Sequence, residues 1–216
     1  NKSDHQDCEG ADRLQYGLPY AQDKVIEALA GANPNLAVVI VSGNAVAMPW
    51  IDCVPAVLEA WFSGSEAGNA LADVVFGAVN PSGKLPFTFP VRLEDNSAHA
   101  LGEYPGTDKI AYNEGIFVGY RWHDKERIKP LFAFGHGLSY TTFEYGVPTL
   151  SSDRMAADGR ITATVKVANT GDYDGEEVVQ LYIRDIKAQI TRPVKELKGF
   201  RKIFLKKGES ADVTFD

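Results

Sequence analysis

Cysteine is scarce: Cys8 and Cys53 are the two in 216 residues. They allow at most one disulfide, and their spacing matches neither a disulfide framework nor a zinc motif, so free thiols are the plainer reading. The redox compartment stays open on that ground. Long apolar runs are also lacking. The longest, at residues 36–41 and 74–76, fall far short of a bilayer span, so no membrane insertion is expected. Positive charge is thin: 22 Lys and Arg stand against 29 Asp and Glu, for a net charge of −7 and a pI of about 5.2. Without a basic block, nucleic acid and anionic membranes are not expected partners. No secretory leader is visible, although the first residues read like the middle of a protein. What remains is ordinary soluble composition, 44% hydrophobic and 24% charged with a mean hydropathy of −0.19. That is ample for one or two packed cores.

Residues 18–30 read as a helix. Pro19 suits a first turn, Leu18, Gln22, Val25, Ile26 and Leu29 share mainly one face, and Gly31 and Pro34 stop it. The β-branched run at 36–41 predicts a parallel strand buried on both faces, and AVLEAW at 56–61 predicts a second. Ser63 and Glu66 have the spacing of a capping box ahead of Ala67, Ala70, Leu71, Val74 and Val75, a helix ended by Gly77. Helix, strand, strand, helix with Gly- and Pro-marked joins is α/β architecture. From Asn80 a long irregular connection begins, rich in Pro and Gly, with a polar run at 94–106 and aromatic segments at 112–122 and 131–143. The last third alternates with period two at 160–168 and 177–185, followed by 194–205 and 210–215, with NTGDYDG and KKGE as turns. About five strands are legible where a sandwich of this kind has about seven. The chain stops in mid-strand, and both ends are expected to be cuts. The division expected is an α/β sandwich domain, C-terminal part, at 1–97, a linking segment at 98–143 and a truncated all-β domain at 144–216.

The run GSEAGNALADVVFGAVNPSGKLPFTFP, from Gly64 to Pro90, closely resembles the second domain of glycoside hydrolase family 3, the β-glucosidase and β-xylosidase family. YNEGIFVGYRW and FAFGHGLSYTTFEYG resemble the segments that lead out of that domain. NTGDYDGEEVVQLYIRD and RPVKELKGFRKIFLKKGES resemble its fibronectin type III-like module. The resemblance implies an α/β sandwich followed by a fibronectin type III-like β-sandwich, incomplete at the C-terminus. It also implies a larger retaining, exo-acting enzyme that removes terminal β-linked sugars from an oligosaccharide or β-glycoside. In that family the nucleophile is an aspartate on an N-terminal barrel domain, which this chain does not contain. The general acid/base is a glutamate on a loop of the form Glu-Gly-x-Asp-Arg, ahead of a Leu-x-Leu-Pro helix entry. Here those positions hold Glu9-Gly10-Ala11-Asp12-Arg13, with Leu18-Pro19 downstream. Asp7-Cys8 stands where the commoner pattern has Ser-Gly. No metal or organic cofactor is implied, and a periplasmic or secreted location follows by analogy alone.

The chemistry of the loop agrees with that role for Glu9. A retaining glycosidase needs two carboxyls about 5–5.5 Å apart, one nucleophilic and one that protonates the leaving oxygen and later deprotonates water. The acid must hold its proton near neutrality, through desolvation or neighbouring negative charge such as Asp4, Asp7 and Asp12. Gly10 lets the backbone turn, and Arg13 can pair with Asp12. Asp7 or another carboxylate taking the role, and a merely solvated acidic loop, stay open as alternatives. A metal site from Asp4, His5, Asp7, Cys8 and Glu9 is disfavoured, because no EF-hand register or zinc spacing is present.

Other residues have plainer readings. Glu66 reads as a cap before it reads as chemistry, and GSEAG at 64–68 mimics a nucleophile elbow without its serine. His136 reads as a hydrogen-bonded structural histidine. Glu114 reads as a brace against the barrel, and Arg184 and Asp185 as surface. Trp50, Trp61 and Trp122 could line a sugar subsite, with core packing the safer reading for Trp61. The rival from another class is a non-catalytic carbohydrate-binding or scaffolding module. An acidic loop with exposed tryptophans would suit it equally.

Overall fold

A computed structural model describes residues 15–106 and 108–216. The chain divides into two compact units that are discontinuous in sequence. One comprises residues through Ala72 together with Phe87–Phe134, the other Asp73–Pro86 with Gly135–Asp216.

The first unit is α/β. Its helix α1 covers Gln22–Ala32. It starts later than its apolar spacing suggests because Tyr20 and Ala21 are left-handed, at φ 55 and 57°, which breaks any helix running back to Pro19. Strands β1 (Ala37–Ile40) and β2 (Ala56–Glu59) pair in parallel, Ala37 opposite Ala56 and Ile40 opposite Glu59. The parallel pairing is as expected, but the burial is one-sided. Val38 and Ile40 are buried while Ala37 is exposed, because these two strands form a two-stranded sheet among the described residues.

Helix α2 spans Ala67–Val75, and a 3-10 turn at Gly64–Glu66 leads into it. The expected capping box does not form. Ser63 makes no cap bond and donates instead to the Ala60 carbonyl at 2.5 Å, and Glu66 accepts from Asn69 Nδ2 at 2.6 Å. The division between the units falls within this helix. Two short helices, α3 (Ser97–Ala100) and α4 (Tyr120–Glu126), lie in the stretch read from sequence as irregular. Their lengths are too small for a 3.6-residue period to show.

The second unit is an all-β sandwich. Strands β3 (Phe143–Tyr145) and β4 (Thr149–Leu150) pair antiparallel with β5 (Ala163–Asn169). The second sheet joins β6 (Gly175–Ile183) to β7 (Glu196–Leu205), with a register shift at Leu181/Tyr182. Strand β8 (Ser210–Phe215) returns to β5, with Ala163 opposite Phe215. Inward positions of both sheets, Val167, Val179, Leu205, Val213 and Phe215, form one apolar core. Gly199 on β7 allows this packing, since a Cβ there would stand 2.9 Å from Cδ1 of Phe215. Six strands are present among the described residues of this unit, where about five were expected; β3 and β4 lie outside the four alternating runs because they are too short to show alternation.

Polar contacts join the run Asp73–Pro86 to this sandwich. Lys84 pairs with Glu177 at 2.9 Å, both side chains largely covered, and donates to the Gly137 carbonyl at 2.7 Å. Asn80 donates to the Asp174 carbonyl at 2.9 Å and accepts from Ser139 Oγ and the Tyr140 amide, each at 2.8 Å. The glycines of FGHG serve the same docking. A Cβ on Gly137 would overlap the carbonyl oxygen of Gly83. His136 sits beside Lys84, and burial together with that positive charge lowers its pKa.

Asn169 is 1% exposed and fully employed. Its Nδ2 donates to the carbonyls of Tyr173 at 2.8 Å and Leu205 at 3.0 Å; its Oδ1 accepts from Thr141 Oγ1 at 2.6 Å and the Gly171 amide at 3.2 Å. Asn169→Leu keeps the volume but strands these partners. It should cost about 2–4 kcal/mol, read as a lower urea midpoint with unchanged slope. An unaltered midpoint would show that the network carries no stability.

Tyr145 donates to Glu177 Oε1 at 2.9 Å. Burial first, then that hydrogen bond and the Glu177 charge, hold the phenol neutral well above its ordinary range. The phenol's pKa is thus raised on folding. Its contribution is full below the unfolded value near 10 and is lost as pH rises beyond it. Urea midpoints of the parent should therefore fall more steeply between pH 9 and 11, roughly the window set by the free phenol, than those of Tyr145→Phe. Parallel falls would contradict the assignment.

Candidate functional site

Parallel strands deliver their loops to one end of the sheet, and in open α/β sheets ligands gather outside the carboxyl ends. In this unit that end carries the loop after β1 and the segment Ala60-Trp61-Phe62 after β2. The first loop is well anchored. Ser42 Oγ donates to the Asn44 carbonyl at 2.5 Å, and Ala45, Val46, Met48 and Trp50 are buried. Gly43 lies against the Phe62 ring, where a Cβ would stand 2.9 Å from Cε2.

After β2 the backbone turns abruptly. Trp61 is left-handed at φ 51°, a conformation that costs a bulky residue energy and persists only where its surroundings enforce it. Here they do. Its amide donates to Glu59 Oε1 at 3.2 Å, and its ring packs edge-on against Phe87 at 5.6 Å and Phe89 at 6.1 Å. The core-packing reading of Trp61 therefore describes its contacts. Trp50 and Trp122 are buried, at 1% and 6% exposure, so neither offers a face to a sugar.

The described chain begins beside this end. The Ala47 amide donates to the Tyr16 carbonyl at 2.9 Å, and the Tyr16 hydroxyl donates to the Pro90 carbonyl at 2.8 Å. Just downstream, Trp50 Nε1 donates to Asp23 Oδ1 at 2.7 Å, tying the first turn of α1 to the same loop. Residues 16–23 are thus fixed to the loop that leaves the carboxyl end of β1.

Glu9, the residue assigned the acid/base role, lies outside the described residues, as do Asp4, His5, Asp7, Cys8, Gly10, Asp12 and Arg13. Cys53 is an exposed thiol. Glu66 is engaged with Asn69 on the surface. Glu114 keeps one carboxylate oxygen buried without a hydrogen-bond partner among the described residues. Asp185 caps the Lys187 amide at 3.1 Å in an exposed turn. No group of three His, Cys, Asp or Glu that could hold a metal occurs among the described residues. No helix among them is long and apolar enough to cross a membrane. Sequence reasoning passed over Tyr16 and Asp23. The signal for Tyr16 was available, since it occupies the first leucine position of the Leu-x-Leu-Pro pattern.

Comparison with known proteins agrees with this architecture. Residues 1–140 match the glycosyl hydrolase family 3 C-terminal domain, and residues 177–216 a fibronectin type III-like domain. The chain is 55% identical to beta-glucosidase BoGH3A of Bacteroides ovatus over 218 aligned positions, covering 100% of this chain and 29% of that protein. It is 49% identical to the thermostable beta-glucosidase B of Acetivibrio thermocellus, covering 98% of this chain and 28% of the relative. The crystal structure of a beta-glucosidase from Kluyveromyces marxianus in complex with glucose superposes at a TM-score of 0.88 with 42% identity, over 96% of this chain and 24% of that one. The chain thus spans less than a third of the length of these relatives. An α/β unit and a fibronectin-type sandwich, in this order and at this similarity, make the chain a member of glycoside hydrolase family 3, bearing its C-terminal domain.

Proposed function

We propose that the chain is the C-terminal part of a retaining, exo-acting β-glucosidase-type hydrolase, in which Glu9 is the general acid/base. The nucleophilic carboxylate belongs to a barrel domain of the same enzyme outside this chain. The observation that carries this reading is the place of Tyr16 and α1, bonded to the loop at the carboxyl end of β1 directly after the Glu-Gly-x-Asp-Arg segment. Similarity to β-glucosidases over the whole chain supports the reaction class. A terminal β-glucoside or oligosaccharide is the substrate.

In the first step the barrel carboxylate attacks the anomeric carbon while Glu9 gives its proton to the departing glycosidic oxygen. In the second, Glu9, now ionised, takes a proton from water as that water attacks the glycosyl-enzyme ester. Proton donation is worth most where the leaving alcohol is a poor one, as in an oligosaccharide. The rival reading as a binding module drew on exposed tryptophans, and Trp50 and Trp122 are buried.

In the full-length enzyme, Glu9→Gln should lower kcat on cellobiose by about 10²–10⁴ while glucose binding, followed by calorimetry, stays within about twofold. Normal turnover by this variant would remove Glu9 from the mechanism while leaving the family intact. The 216-residue chain by itself holds one half of the carboxyl pair and should give no steady release of p-nitrophenol from an aryl β-glucoside. Sustained release from a clean preparation would contradict the proposed division of labour.

A further inference from the structure

Between α3 and α4 no helix or strand forms among the described residues, and connections this long inside a folded protein commonly carry function or wrap another domain. Residues 112–118 are nonetheless well held. The Tyr112 carbonyl accepts from the Gly115 amide and the Glu114 carbonyl from the Phe117 amide, each at 3.0 Å, so two successive turns fix the backbone. Asn113 Nδ2 donates to Glu103 Oε1. The Phe117 ring meets Lys125 of α4, with Nζ 4.7 Å from the ring centroid. This fixed segment carries two features that a finished surface avoids. Glu114 buries its Oε2 without a hydrogen-bond partner among the described residues, and a covered, unpaired carboxylate oxygen costs desolvation. Within four residues of it, Tyr112 is 78% exposed, Ile116 44% and Val118 46%, which leaves apolar surface in water. A single contact removes both costs, if it presents an N–H donor to Glu114 and apolar atoms to the side chains about it.

From this combination we propose that residues 112–118 form a docking surface for the barrel-bearing remainder of the same enzyme, with Glu114 receiving a basic side chain of that remainder. The inference rests on the reading of this chain as the C-terminal part of a longer enzyme and is independent of Glu9. The relatives point to the occupant. The chain covers 29%, 28% and 24% of the three compared above, so the larger part of such an enzyme lies outside it. Interfaces between domains of one chain mix apolar and polar contacts in this way. A second copy fits the charge less well. A two-fold contact centred on Glu114 would set the carboxylate against its own twin, and like charges brought together at an interface are costly.

The test is hydroxyl-radical labelling of the full-length enzyme read by mass spectrometry, with a synthetic peptide of residues 108–119 as the open reference. A docked Tyr112 should label about tenfold more slowly than in the peptide. That protection should survive roughly hundredfold dilution, because a contact within one chain does not depend on concentration. Glu114→Gln keeps the shape and removes the charge; it should raise the Tyr112 rate about fivefold. Glu114→Lys, which sets like charges together, should raise it further. Labelling of Tyr112 in the parent at the peptide's rate would overturn the docking surface and leave the acid/base reading standing, since Glu9→Gln tests that by turnover. Protection lost on dilution would assign the surface to a second copy and overturn the proposed occupant. Protection indifferent to both Glu114 variants would overturn the anchoring role of Glu114.

Discussion

The chemistry proposed for this chain depends on where it is fastened just after the acidic segment, and two hydrogen bonds at Tyr16 contribute to that fastening. One is a backbone bond to the loop that follows β1, and the other reaches the carbonyl of Pro90. Neither is strong by itself, since each contributes on the order of 1 kcal/mol net. Their value is positional. Both acceptor and donor segments are anchored in turn by buried groups, Trp50 and Met48 on one side and Phe89 and Asp95 on the other. A parallel sheet gathers such loops at one end, and a glycosidase needs its proton donor where a second carboxylate can approach it.

The sandwich unit solves a different problem. Its apolar core of Val167, Val179, Leu205, Val213 and Phe215 is small. Polar groups at its ends finish the packing. Asn169 joins the β3–β5 end to Tyr173 and Leu205, and the Lys84–Glu177 pair with Tyr145 holds the Asp73–Pro86 run. Each member of the Asn169 network has a partner, which is the condition under which buried polar groups stabilise. The signature NPSGKLP thus serves the second unit as an attachment strip, with Asn80, Ser82 and Lys84 reaching Asp174, Glu176 and Glu177.

Much of this was legible in the sequence because it is periodic or family-marked. Strand β8 coincides with the alternating run at 210–215, and β1, β5, β6 and β7 lie within a few residues of theirs. The misses have physical causes. Left-handed Tyr20 and Ala21 delay α1, and nothing in Pro19-Tyr20-Ala21 announces that conformation. Ser63 has the right spacing for a cap, yet its hydroxyl finds the Ala60 carbonyl first. Helix α4, at seven residues, and strands β3 and β4, at three and two, span too few repeats for a periodic pattern to stand out. Asn169 looked like turn chemistry in NTGDYDG, because its partners Thr141 and Leu205 are remote in sequence. For the site, the Glu-Gly-x-Asp-Arg segment is marked by family resemblance, and Glu9 lies outside the described residues. The bond from Tyr16 to Pro90 joins residues 74 apart and needed coordinates.

The most direct measurement is the product formed when sodium azide is added to the Glu9→Gln variant of the full-length enzyme with a dinitrophenyl β-glucoside. With the acid/base gone, the glycosyl-enzyme forms from this activated substrate but waits for a base to deprotonate water; azide carries no proton and can attack unaided. The account predicts that azide accelerates turnover and that the sugar product is the β-glycosyl azide, with configuration retained. An α-glycosyl azide would mean that Glu9 had been the nucleophile, and an absence of any azide effect would mean that it had been neither.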